Sequence, residues 1–122
     1  MNALVIEDSA TIRTILKQLL SKMGFDVVEA ANGREALDRL KQMAHVDVAL
    51  VDWNMPEMNG LDFVRSVRAD RAYDMLPLVM VTTNSEREHV EEALAAGANA
   101  YVMKPFPLDR IREELKTLGI LD

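Results

Sequence analysis

The sequence predicts an α/β fold of five βα units, a doubly wound five-stranded parallel sheet sandwiched between two layers of helices. Three observations carry that reading. Short β-rich runs alternate strictly with longer segments of helical periodicity, five times along 122 residues. The runs at 3–6, 46–51 and 77–81 are apolar almost throughout, as strands covered on both faces are. The links between runs are short, and right-handed crossovers between parallel neighbours then put helices on both faces of one sheet.

Each element has its own local signal. "ALVI" (3–6) precedes "SATIRTILKQLLSKMG", where Ile12, Ile15, Leu16, Leu19, Leu20 and Met23 fall at helical spacing, with Ser9 as N-cap and Gly24 as stop. "DVVEA" (26–30) precedes a helix through Ala36, Leu37, Leu40 and Met43, opened by Asn32 with Glu35 in capping-box position. "VDVALV" (46–51) leads into "DWNMPEMN" and then "GLDFVRSVR" (60–68). "PLVMV" (77–81) precedes a helix that a second capping box starts at Ser85 and Gly97 ends. "AYVM" (100–103) precedes "PLDRIREELKTL", which sets Leu108, Ile111, Leu115 and Leu118 on one face.

Composition narrows the function classes. Apolar residues make up 49% and charged residues 28%, with no low-complexity tract, so a single ordered domain over 1–122 is expected, and a chain of this size buries roughly 70% of its unfolded surface. The absence of cysteine excludes disulfides, thiolate zinc sites and cysteine nucleophiles, and fits a reducing compartment. No stretch reaches the ~20 apolar residues of a membrane span, and the N-terminus has no basic flank before an apolar run, so a cytoplasmic chain without membrane contact is expected. Net charge is −6, with lysines and arginines scattered singly, which argues against a nucleic-acid partner.

In parallel α/β sheets, polar sites form beyond the carboxyl ends of the strands, at the switch point of an order such as the flavodoxin-like 2-1-3-4-5. Those ends carry Glu7 and Asp8 after the first strand, Asp52 after the third, Thr82 and Thr83 after the fourth, and Lys104 with Pro105 after the fifth. Two carboxylates ~4 Å apart repel by about 4 kcal/mol at an effective dielectric of 20, and one lysine does not balance three acids. An all-oxygen cluster suits a hard cation, and one with few protein ligands suits Mg²⁺. Single acids in such places are commonly N-caps or turn formers. Four strand ends with polar groups of this kind, against apolar strand interiors, favour a site.

The acidic pair in "EDS" (7–9), "DWNMPEMNGLDF" (52–63), "VTT" (81–83) and "GANAYVMKPF" (97–106) together resemble the receiver domain of two-component response regulators, particularly the stand-alone chemotaxis (CheY-like) type, over essentially the whole chain. The resemblance implies that Asp52 accepts a phosphoryl group from a sensor histidine kinase's phosphohistidine, or from a small acyl phosphate. It implies Mg²⁺ held by Asp8, Asp52 and the backbone carbonyl of Asn54, with Glu7 acting through water. Lys104 then pairs with the phosphoryl oxygens, aimed by a cis bond to Pro105, and the start of the helix after Ser9 adds a favourable dipole. Thr82 and Tyr101 correspond to a switch pair that reshapes the face of helix 4, strand 5 and helix 5 for a partner protein. Such a chain is no enzyme beyond its own phosphorylation and slow dephosphorylation, and is expected to be a monomer when unphosphorylated.

Lesser expectations follow. Trp53 is typical of the chemotaxis subtype, where it tends to be exposed near the site; Pro56 and Gly60 shape the loop; His45 and His89 are solvated; the eight methionines sit at core-like spacings. Glu7 stands where aspartate is commoner. Thr83 stands where the family usually has alanine or glycine, so its branched side chain is expected to crowd the phosphoryl group. The phosphoryl lifetime of Thr83→Ala should therefore differ from the parent's, and equal rates would remove the idea. Three other readings compete. A receiver excised from a longer regulator or hybrid kinase is disfavoured by the short "TLGILD" end. An aspartyl-phosphate hydrolase needs an acid where Asn54 stands. A flavodoxin-like cofactor binder needs a phosphate loop where "EDSAT" places two anions.

Overall fold

The computed structural model describes residues 1–82, 87–104 and 107–121. Along the chain run β1 (Asn2–Ile6), α1 (Ala10–Lys22), β2 (Asp26–Ala30), α2 (Gly33–Gln42), β3 (Val48–Val51), α3 (Gly60–Arg68), β4 (Leu78–Thr82), α4 (Arg87–Ala96), β5 (Ala100–Met103) and α5 (Leu108–Thr117). All five strands are parallel, in the order β2-β1-β3-β4-β5. This is the order expected from the sequence. Among the described residues no helix is long and apolar enough to cross a membrane.

The helix starts follow from local chemistry. Ser9 Oγ accepts from Ile12 N at 3.3 Å and Asn32 Oδ1 from Glu35 N at 2.8 Å, each answering an amide that the first turn leaves without a partner. Asn59 does the same for α3 by accepting from Asp62 N at 2.9 Å. Glu35 meets Arg39 one turn on. Gly24 and Gly97 take φ of +97° and +121°, a region open to glycine, and so end α1 and α4. The predicted cap at Ser85 lies outside the described residues.

Two boundaries move for physical reasons. β3 begins at Val48, because Asp47 turns its carboxylate to Asn2 N at 2.7 Å and to His45 Nε2 at 2.9 Å. β4 begins at Leu78, one residue after Pro77, which has no amide to donate. A 3-10 turn at Arg71–Tyr73, capped by Asp70, was not foreseen.

Alternation along the strands builds two cores. Ala3, Val5, Val48, Leu50, Val79 and Val81 point to the face covered by α1 and α5, where Leu16, Leu20, Ile111 and Leu115 are buried. Leu4, Ile6, Ala49, Val51, Leu78 and Met80 point to the other face, covered by α2, α3 and α4 through Leu40, Phe63, Val64, Val67 and Ala93. The methionines divide: Met80 is buried, but Met75 is 91% exposed and Met103 about half exposed, against the core reading.

At the edge remote from the acids, Arg68 at the end of α3 joins three segments. Its guanidinium donates to the carbonyls of Tyr73 (2.7 Å), Leu76 (2.7 Å) and Gly97 (3.0 Å), and to Asn99 Oδ1 (2.9 Å). Asn99 Oδ1 also accepts from Leu78 N at 2.8 Å. Burial pulls the Arg68 pKa below its ordinary value, while the nearby Asp74 charge works the other way.

Candidate functional site

The sheet brings the acids together through its own hydrogen bonds. Beyond the end of β1, Glu7 N still donates to Ala30 O at 3.0 Å, and Asp52 N donates to Ile6 O at 3.0 Å, so Glu7 and Asp52 emerge side by side. Glu7, Asp8 and Asp52 each offer a carboxylate oxygen, and these lie within 4.8 Å of one another. Glu7 and Asp52 are buried, whereas Asp8 is exposed at the mouth. From β5, Lys104 Nζ donates to Glu7 Oε2 at 2.6 Å and stands 3.7 Å from Asp52 Oδ1. Ser9 N donates to Glu7 Oε1 at 3.2 Å, and Arg13 Nη1 donates to the Glu7 carbonyl at 2.7 Å.

One ammonium does not neutralise this group. Burial pushes the Glu7 pKa up to about 7; the hydrogen bond from Lys104 opposes the rise, and the Asp52 charge adds to it. A buried carboxyl whose charged form burial disfavours, beside two further acids and with oxygen ligands on offer, fits a hard divalent cation, which would restore its charge.

That environment carries a pH prediction. The folded Glu7 pKa of about 7 lies above the ordinary 4.5, so its contribution to stability is whole below pH 4.5 and lost as pH rises through 7. A shift of this size corresponds to ~3 kcal/mol. Metal-free Glu7→Gln is therefore expected to match the parent near pH 3.5, below both pKa values of Glu7, and to exceed it at pH 8, with Mg²⁺ narrowing the gap. Urea midpoints measure this, and a parent-minus-variant difference that ignores pH would contradict it.

The loop after β3 is drawn tight against Asp52. Gly60 N donates to Trp53 O at 2.9 Å, and a Cβ at Gly60 would lie 2.2 Å from the Asp52 carbonyl oxygen. Glu57 takes a φ of +65° in a γ-turn closed by Met58 N donating to Pro56 O at 2.8 Å, a strained geometry for a residue with a side chain. Gly33 N donates to Met58 O at 3.1 Å, so the start of α2 buttresses the loop. Asn54 is exposed two residues beyond Asp52.

Thr82 closes β4 fully buried, paired in register with Met103, and its carbonyl accepts from Lys104 N at 2.8 Å. Tyr101, one strand over from Met80, is half-buried; burial raises its pKa and the Asp52 charge raises it further. Thr83 and Pro105 lie outside the described residues. Two expectations are corrected. Trp53 is only 8% exposed, because its ring packs into the core under α3 and α4 and meets the His89 ring at 5.0 Å between centroids, tilted by 37°. His89 is accordingly half-buried, while His45, with a side chain 72% exposed, is solvated as expected. Sequence spacing gave no sign of the Trp53 and His89 contact, since 36 residues and an intervening strand separate them.

Known proteins share this sequence pattern and this fold. Residues 3–116 match the family described as the response regulator receiver domain. Chemotaxis protein CheY1 of Helicobacter pylori is 45% identical over 119 residues, 97% of this chain and 96% of that one. A chemotaxis protein CheY homolog of Campylobacter jejuni is 46% identical over 117 residues, 95% of this chain and 90% of its own. The solved structure of Vibrio cholerae chemotaxis protein CheY4 superposes with a TM-score of 0.89 at 35% identity, covering 96% of this chain and 97% of that one. The chain belongs to the response regulator receiver domain family, whose members are phosphorylation-dependent signalling switches and not classical enzymes.

Proposed function

We propose that Asp52 is the phosphoryl acceptor of a chemotaxis switch, fed by the phosphohistidine of a sensor histidine kinase and supported by Mg²⁺. The observation that carries this is the convergence of Glu7, Asp8 and Asp52 within 4.8 Å, with Lys104 Nζ 3.7 Å from Asp52. The names of the chemotaxis proteins that match along nearly their whole length support the pathway, and residues 1–122 are read here as one receiver domain.

An Asp52 carboxylate oxygen forms the bond to phosphorus while the P–N bond of the donor breaks and its electron pair leaves with the imidazole nitrogen. Mg²⁺, held by Asp8, Asp52 and the Asn54 carbonyl with Glu7 through water, would neutralise and align the transferring group. Lys104, 12% exposed, donates to the incoming phosphoryl oxygens from a dry position where such bonds are strong. Asn54 supplies no acid-base group, so the adduct persists long enough to signal. The Thr82 hydroxyl then turns to the phosphoryl group and Tyr101 follows inward. That change alters the face of α4, β5 and α5, where the exposed Leu94 and Met103 offer apolar contact to a target protein. The unphosphorylated protein is a monomer in this reading.

Incubation with acetyl phosphate and Mg²⁺ tests the proposal by intact mass. A single adduct is expected for the parent, none after chelation and none for Asp52→Asn. An adduct of equal yield in Asp52→Asn, or rapid multiple-turnover release of phosphate with no adduct accumulating, would overturn it, the latter in favour of a hydrolase.

A further inference from the structure

Helix α4 is held by less apolar burial than its neighbours. Leu16 and Leu20 anchor α1, Ala36 and Leu40 anchor α2, Phe63, Val64 and Val67 anchor α3, and Ile111 and Leu115 anchor α5. The buried side chain of α4 among the described residues is Ala93, and a methyl group contributes a fraction of what a leucine does. An element with so little buried surface belongs to the low-stability end of a structure, where moving parts are found.

Its two ends are held differently. At the C-terminal end, Gly97 N donates to Leu94 O at 3.1 Å, Ala98 N to Ala93 O at 3.0 Å, and Arg68 Nε to Gly97 O at 3.0 Å, which ties α4 to the edge that Arg68 bonds together. In its first turn, the His89 ring lies on Trp53 at 5.0 Å, tilted by 37°, a separation at which aromatic pairs attract. Trp53 directly follows Asp52, and its carbonyl is fastened to Gly60 N.

We infer that His89 is a positioning residue through which the Asp52 end of β3 holds the N-terminal half of α4, leaving the helix to swing about its Arg68-pinned end when the stack changes. This rests on the proposed phosphorylation of Asp52. It adds a second route from that residue to the output face, beside Thr82 and Tyr101: a displacement of the β3 end moves the indole, and the indole moves the first turn of α4.

Amide hydrogen exchange of the parent, His89→Ala and His89→Phe, with and without acetyl phosphate and Mg²⁺, tests this, with Trp53 fluorescence recorded on the same samples. In His89→Ala the amides of residues 91–93 should exchange about tenfold faster before phosphorylation, although alanine is the better helix former. Amides in α1 should not change. The mass adduct should form as in the parent, while the phosphorylation-induced changes in α4 exchange and Trp53 fluorescence shrink to less than half. His89→Phe, which keeps a ring on the indole, should restore both. Unchanged α4 exchange in His89→Ala, equal loosening of α1 and α4, or no rescue by His89→Phe would each overturn the inference. Failure of the parent to take an adduct would sink the proposed function instead, and the exchange rates of the unphosphorylated variants would still decide whether the tether exists.

Discussion

Gly60→Ala is expected to destabilise the protein by about 2–4 kcal/mol and to slow phosphoryl uptake at Asp52 at least tenfold. The added Cβ would sit 2.2 Å from the Asp52 carbonyl oxygen, 2.9 Å from its carbon and 3.0 Å from Trp53 Cα. These are backbone atoms, so no side chain can turn away. Either the end of β3 or the start of α3 must shift. The first is locked by Asp52 N donating to Ile6 O, the second by the buried Leu61, Phe63 and Val64. In an uncrowded helix the same substitution would gain up to about 1 kcal/mol, so the two accounts differ in sign. Urea unfolding without metal decides the stability part, and a variant as stable as the parent would refute the contact. Because the displaced group is the carboxyl-bearing residue itself, uptake should fall even at temperatures where the variant remains folded.

Arg68→Ala is expected to cost about 2–3 kcal/mol, and Arg68→Lys to recover less than half of that. The guanidinium serves the carbonyls of Tyr73, Leu76 and Gly97 together with Asn99 Oδ1, and hydrogen bonds from a charged donor are worth more than neutral ones. The loss is smaller than the full sum of these bonds, because half-buried carbonyls regain some water when the donor leaves. Lysine is a point charge without the fork, and reaches one or two of these acceptors at once. Thermal unfolding of the three proteins measures the ranking. Equal stability of Arg68→Lys and the parent would mean that charge, and not the planar geometry, holds this edge.

The layers, and the convergence of Glu7, Asp8 and Asp52 with Lys104, were legible because each rests on short-range rules. Ser9 and Asn32 sit where the first turns need acceptors, and the apolar strands read directly as a covered parallel sheet. Glu7, Asp8, Asp52, Thr82 and Lys104 could be gathered from strand ends alone, since parallel strands deliver their carboxyl ends to one edge. What escaped notice depends on distance along the chain. Arg68 in a last helical turn reads as an ordinary dipole partner, yet its acceptors lie between 5 and 31 residues away. The 3-10 turn at Arg71–Tyr73 has no periodicity to read. The family resemblance implies an exposed Trp53, whereas its burial depends on how α4 packs and on a ring at position 89, neither of which local patterning encodes.

Reductive trapping tests the central claim most directly. Borohydride converts an aspartyl phosphate to homoserine, so parent protein treated with acetyl phosphate and Mg²⁺, reduced and digested, should carry homoserine at position 52 and at no other acid. Homoserine at position 8 in place of 52, or the reduced product of Glu7, would contradict the assignment of Asp52 as the acceptor while leaving the fold untouched.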